Sequence, residues 1–108
     1  MAVSTEINGS RLTARLAGDI DHHTAAAMRS EIDLAARMNA VDELVLDFSG
    51  VTFMDSSGIG LVMGRSKLMN ELGGRCVILD PPAYIIKVMK LSGVDKLCPI
   101  VGEGGVRL

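Results

Sequence analysis

Flat side chains are nearly missing from this sequence: it has one Tyr, two Phe and no Trp among 108 residues. So few rings leave little for stacking on bases. A net charge of −2 with a pI near 5.6 supplies no basic field for a phosphate backbone either. Nucleic acid is therefore not an expected partner. No apolar run approaches the roughly 18 residues that span a bilayer, so no membrane partner is expected. The opening MAVSTEINGSRL lacks the charged-then-apolar order of a secretory signal, which makes the cytoplasm the expected location.

Cysteine is scarce too. Cys76 and Cys98 lack the close spacing of a metal or redox pair and are expected as buried free thiols. His22 and His23 are adjacent and cannot share one helix face, so no metal site is expected, nor any cofactor. What remains is a globular composition, 48% hydrophobic and 22% charged. The length suits one domain over 1–108. Leu, Ile, Val and seven Met must fill its core.

Two alternating runs, Met1–Ile7 and Arg11–Leu16, flank Asn8-Gly9 and predict a β-hairpin, with Gly18 ending its second strand. Asp21 is a suitable N-cap for a helix over His22–Asn39 with Ala26, Met28, Ile32, Ala35, Ala36 and Met38 inward. Glu43–Phe48 is nearly continuous in apolar residues, the pattern of a strand covered on both faces. Ser49-Gly50 predicts a turn. Ser57–Leu72 fits a second helix with Ile59, Val62, Met63, Met69 and Leu72 inward, closed by Gly73-Gly74. Cys76–Leu79 reads as a buried strand and Asp80-Pro81-Pro82 as the start of a third helix. Leu97–Val101 reads as an edge strand, and the tail of about 102–108 is expected to fray. The order predicts an α/β fold: a mixed sheet of four or five strands, an N-terminal hairpin plus parallel strands, packed by three or four helices.

FMDSSGIG, residues 53–60, holds the densest chemistry. Asp and Ser are good N-caps, so capping is the plain explanation. A nucleophile elbow requires G-x-S-x-G, and Met54 stands where that pattern needs Gly. A phosphate-binding loop requires G-x-x-x-x-G-K-[ST], and the next Lys is Lys67. Neither enzyme pattern is met. A third use is phosphoacceptance, since a helix N-terminus stabilises an added phosphate. That phosphate would bring about −1.5 to −2 charges to a face already holding Asp55. General chemistry leaves capping and phosphoacceptance both open.

Three segments carry a resemblance: GDIDHHT at 18–24, LDFSGV at 46–51 running into FMDSSGIG, and LSGVDKL at 91–97. In this order they resemble the bacterial anti-sigma factor antagonists, the STAS-domain family, with the sporulation branch nearest in pattern. The resemblance implies a single STAS domain that is not an enzyme. It implies partner switching: the unphosphorylated protein binds an anti-sigma factor that is also a serine kinase using ATP, and so frees a sigma factor. Phosphorylation of the first motif serine, here Ser56, ends the contact, and a serine phosphatase restores it. Matched by position, Asp21, His22 and Thr24 from one loop and Asp55, Ser57, Gly58 and Ile59 from the other form the partner face. Ile59 stands where the family commonly has Leu. A final helix of the family is expected to be short or absent. The competing reading keeps the fold without the switch, as a scaffold module of a transporter or stress-signalling complex.

Overall fold

In a computed structural model that describes residues 2–108, β1 (Val3–Asn8) and β2 (Arg11–Ile20) form the antiparallel hairpin around Asn8-Gly9. Gly9 turns the chain at φ +64°, a conformation that glycine adopts without a Cβ penalty. Met1, placed in the first strand by its pattern, lies outside the described residues. Then follow α1 (His22–Met38), β3 (Glu43–Met54), α2 (Ser56–Glu71), β4 (Arg75–Leu79), α3 (Ala83–Ser92) and β5 (Ile100–Val101). Short 3-10 turns occupy Val94–Lys96 and Glu103–Gly105. The mixed sheet, expected with four or five strands, is present with five.

Its strand order repeats the chain order, β1-β2-β3-β4-β5, and β2 through β5 run parallel. Helical crossovers between successive parallel neighbours share one hand, which sends all the helices to one face. Burial agrees. Leu44, Leu46 and Phe48 of β3 are buried, whereas Val45 and Asp47 are only half-buried. The expectation of a strand covered on both faces is thus corrected: the apolar run is an alternation in which Val45 lines a partly open face. On that face Glu43 joins two guanidiniums, 2.6 Å from Arg11 and 2.8 Å from Arg75.

The covered face holds the core. Leu12, Leu16, Phe48 and Ile78 of the sheet meet Met28, Ile32, Met69, Ile85 and Met89 of the helices. Each such side chain contributes about 1.5–3 kcal/mol by leaving water. Some residues read as inward face solvent instead: Met38 is 74% exposed, Met63 50% and Leu72 39%. Their places on α2 are taken by Leu61, Arg65, Ser66 and Leu68.

Boundaries differ where backbone irregularity imitates a chain end. β2 continues past Gly18 to Ile20, and β3 runs through Ser49-Gly50 to Met54. Between the pairs Arg15–Asp47 and Ala17–Gly50, β3 advances one residue more than β2. It does so again between Gly18–Val51 and Asp19–Phe53. Ser49-Gly50 is therefore a bulge, not a turn. Asp47 anchors it by accepting from the Ser49 N–H at 2.9 Å and its hydroxyl at 2.7 Å. The last strand shortens to Ile100–Val101, and the tail folds back instead of fraying. Gly104 and Gly105 take φ +73° and +78°, Val101 pairs antiparallel with Arg107, and the Leu108 N–H donates to the Ile100 carbonyl at 2.9 Å.

Candidate functional site

The last register pair of β2 and β3 is Ile20–Met54, so two adjacent parallel strands end side by side. The next residue on each is an aspartate, and each aspartate caps a helix. The Asp55 N–H donates to the Ile20 carbonyl at 3.1 Å, which ties the second loop to the first. This is the carboxyl edge of the sheet, where α/β folds place their ligand sites. Bulges upstream bring the two ends level: without the extra residues in β3, Met54 would fall out of step with Ile20.

Asp21 caps α1 through a reciprocal pair with Thr24. The Thr24 N–H donates to Asp21 Oδ1 at 2.8 Å, and the Asp21 N–H donates to Thr24 Oγ1 at 2.9 Å. The Thr24 hydroxyl also donates to the Asp19 carbonyl at 2.9 Å, stiffening the loop. The Thr24 backbone N–H holds the Asp21 carboxyl below its ordinary value of 3.8, against a smaller desolvation effect. The Thr24 hydroxyl and the backbone and charge of His23 add to the lowering.

At the second loop Asp55 Oδ1 accepts from the Ser57 N–H at 2.8 Å. The cap is thus made by the Asp55 carboxylate on the Ser57 backbone N–H, and neither serine hydroxyl supplies it. Ser56 occupies the first helical position and is exposed, whereas Ser57 is half-buried. Gly58 is buried against the end of β3, and a Cβ there would fall inside the Met54 side chain. Only glycine lets α2 start so close to the strand. Ile59 is half-buried and packs on the core. His22 is exposed on the first turn of α1 and, with Ser57, borders a cleft between α1 and α2.

The two segments singled out in the sequence, 21–24 and 55–59, are therefore brought to one edge by adjacent strands. The same edge holds Thr52 and Tyr84, outside the motif, and Phe53, its first residue. The Thr52 hydroxyl donates to Asp19 Oδ1 at 2.8 Å, the Tyr84 hydroxyl donates to the Thr52 carbonyl, and Phe53 is 51% exposed. Phe53 opens the motif but stands outside the expected partner face, although alternation with the inward Met54 turns it outward. Tyr84 sits at the start of a distant helix and gave no such signal.

A family model for the STAS domain matches residues 2–103 of this chain. The chain belongs to the STAS-domain family. This STAS domain is 34% identical over 100 residues to the anti-sigma F factor antagonist of Paenibacillus polymyxa, covering 93% of this chain and 86% of that protein. It also superposes on the solved structure of the anti-sigma factor antagonist SpoIIAA in its unphosphorylated form. The TM-score is 0.81 at 33% identity, covering 94% of this chain and 90% of that one. The phosphorylated form of SpoIIAA from Bacillus matches with a TM-score of 0.74 at the same 33% identity, covering 94% and 93%. Among the described residues no group of His, Cys, Asp and Glu could hold a metal, and no helix is long and apolar enough to cross a membrane.

Proposed function

We propose that this STAS domain is an anti-sigma factor antagonist whose partner binding is switched off by phosphorylation of Ser56. One observation carries the reading: Ser56 is exposed at the start of α2 while Asp55 makes the cap. The hydroxyl is thereby left available to chemistry without cost to the helix. The likeness to a protein solved in both phosphorylated and unphosphorylated forms supports it.

The unphosphorylated face, built from Asp21, His22, Thr24, Asp55, Ser57, Gly58 and Ile59, docks on an anti-sigma factor that is also a serine kinase with bound ATP or ADP. Docking frees the sigma factor. Ser56 Oγ then attacks the γ-phosphorus of ATP, the bond to the β-phosphate oxygen breaks, ADP leaves, and the hydroxyl proton passes to a base of the kinase. The new group carries about −1.5 to −2 charges. The α2 dipole and free first-turn N–H groups accommodate it within this chain. A partner pressed on the same spot meets an anion next to the Asp55 carboxylate, and must desolvate both. Binding is lost while the fold stays intact, and a serine phosphatase resets the hydroxyl. In this scheme the chain is a substrate, not a catalyst.

Incubation with ATP and the candidate anti-sigma kinase of the host, followed by mass spectrometry, tests the scheme. One phosphate on Ser56, absent in Ser56→Ala, is expected, together with loss of kinase binding. A kinase proved active elsewhere that leaves this chain unmodified would instead favour the scaffold reading.

A further inference from the structure

The cleft between α1 and α2 has a volume of about 440 Å³ and opens beside the motif, bordered by Ser57 and His22. Its remaining wall includes Arg29, Gly60, Gly64 and Arg65. Arg65 is unusual for a charged residue in being only 5% exposed. Its Nε lies 2.8 Å from Asp33 Oδ1 but out of line for a hydrogen bond, and its Nη1 is buried without a partner among the described residues. Desolvation lowers the Arg65 pKa, the Asp33 charge raises it, and the Arg29 charge lowers it again. Arg65 thus has one carboxylate beside it and a second guanidinium, Arg29, opposing it on the same cleft wall. A buried cation so poorly matched gains strongly from a further anion.

We propose that this cleft receives an acidic side chain of the partner protein, its carboxylate drawn in by Arg65 and Arg29. The assignment rests on the switch reading above and extends its docking face from Ser57 into the cleft. Size selects a side chain: Gly60 and Gly64 leave open space where a Cβ would stand, which gives the cleft room for a Glu or Asp on the wall that holds the two cations. Charge selects its sign.

The test has two arms. In the first, Gly64→Glu supplies a carboxylate from within the chain and Gly64→Gln is its neutral twin. The Glu variant should melt about 3 °C higher than the Gln variant. That gain should shrink in an Arg29→Gln background, a dependence that a contact with nearby Lys67 alone would not show. Equal melting of the two variants, or a gain that Arg29→Gln leaves unchanged, overturns the proposal. In the second, affinity for the anti-sigma kinase is measured by calorimetry. Arg29→Gln is exposed and should fold normally, yet bind about ten-fold more weakly. Wild-type binding and Ser56 phosphorylation with unchanged Arg29→Gln affinity would overturn the cleft assignment and leave the switch standing. Failure of the wild type to bind would overturn the switch reading itself, and the Gly64 comparison would then decide the cleft alone.

Discussion

The backbone N–H of Asp55 donates to the carbonyl of Ile20 at 3.1 Å, across the seam between two parallel strands. This bond places one aspartate-capped helix start directly beside another. The face that results is preset by backbone geometry, so single side-chain changes on it can be read separately as stability or as recognition.

The Asp55 cap and the Ser56 hydroxyl separate in this way. Asp55→Ala should cost about 1 kcal/mol and lower the melting temperature by roughly 4 °C, with Asn recovering most of it. Ser56→Ala should change stability by less than about 0.5 kcal/mol while removing phosphorylation. Thermal denaturation followed by circular dichroism, paired with the kinase assay, checks both. An unfolded Ser56→Ala protein would contradict the assignment of the cap to Asp55.

Asp21 gives a pH signature. Its folded-state pKa is lowered from 3.8 by the Thr24 N–H. A lowered carboxyl contributes stability above the unfolded value, and that contribution fades as pH falls through the folded one. Wild type should therefore exceed Asp21→Asn in stability near neutrality and converge with it below about pH 4. Urea denaturation of both proteins across that range is the measurement. A gap that widens on acidification would reverse the sign and refute the account.

Gly58 and Met54 form a coupled pair. Gly58→Ala forces its new methyl into the Met54 side chain and should cost about 1–3 kcal/mol. Adding Met54→Ala opens room, so the double variant should cost less than the sum of the singles. Gly60, with open space around it, should tolerate Ala and gain up to about 1 kcal/mol of helix stability. Chemical denaturation of the four variants provides the comparison.

The thiols should be silent in the folded state. Cys76 and Cys98 are both free and buried. Contact with Cys98 and burial push the Cys76 thiol up, which keeps it protonated at neutral pH. Ellman's reagent should label neither cysteine in native buffer and both in denaturant. Rapid native labelling would mean that the β4 region opens readily.

Much of this fold can be read from the chain because its elements obey local rules. Asn8-Gly9 forces a hairpin, Asp21 with Thr24 signals a helix start, and Gly73-Gly74 follows the end of α2. Misreadings arose where local and tertiary signals part. Ser49-Gly50 has turn chemistry, yet pairing with β2 on the neighbouring strand absorbs it as a bulge. Val45 has core chemistry, yet every helix crosses on the other face. Arg65, on which the sequence pattern is silent, lies inside, where Asp33 on α1 meets it. Local pattern carries no information about a partner 32 residues away. At the site the motif marks segments 21–24 and 55–59, but Tyr84 reaches that edge only through the return of α3.

Strand order that repeats chain order also bears on how the molecule is made. Each strand after the first finds its neighbour already in place, so a chain emerging from the ribosome can add one strand at a time to a growing edge. The pairing that aligns Ile20 with Met54 involves only residues 11–54. The two capped loops can therefore come together while β4 and β5 are still being synthesised.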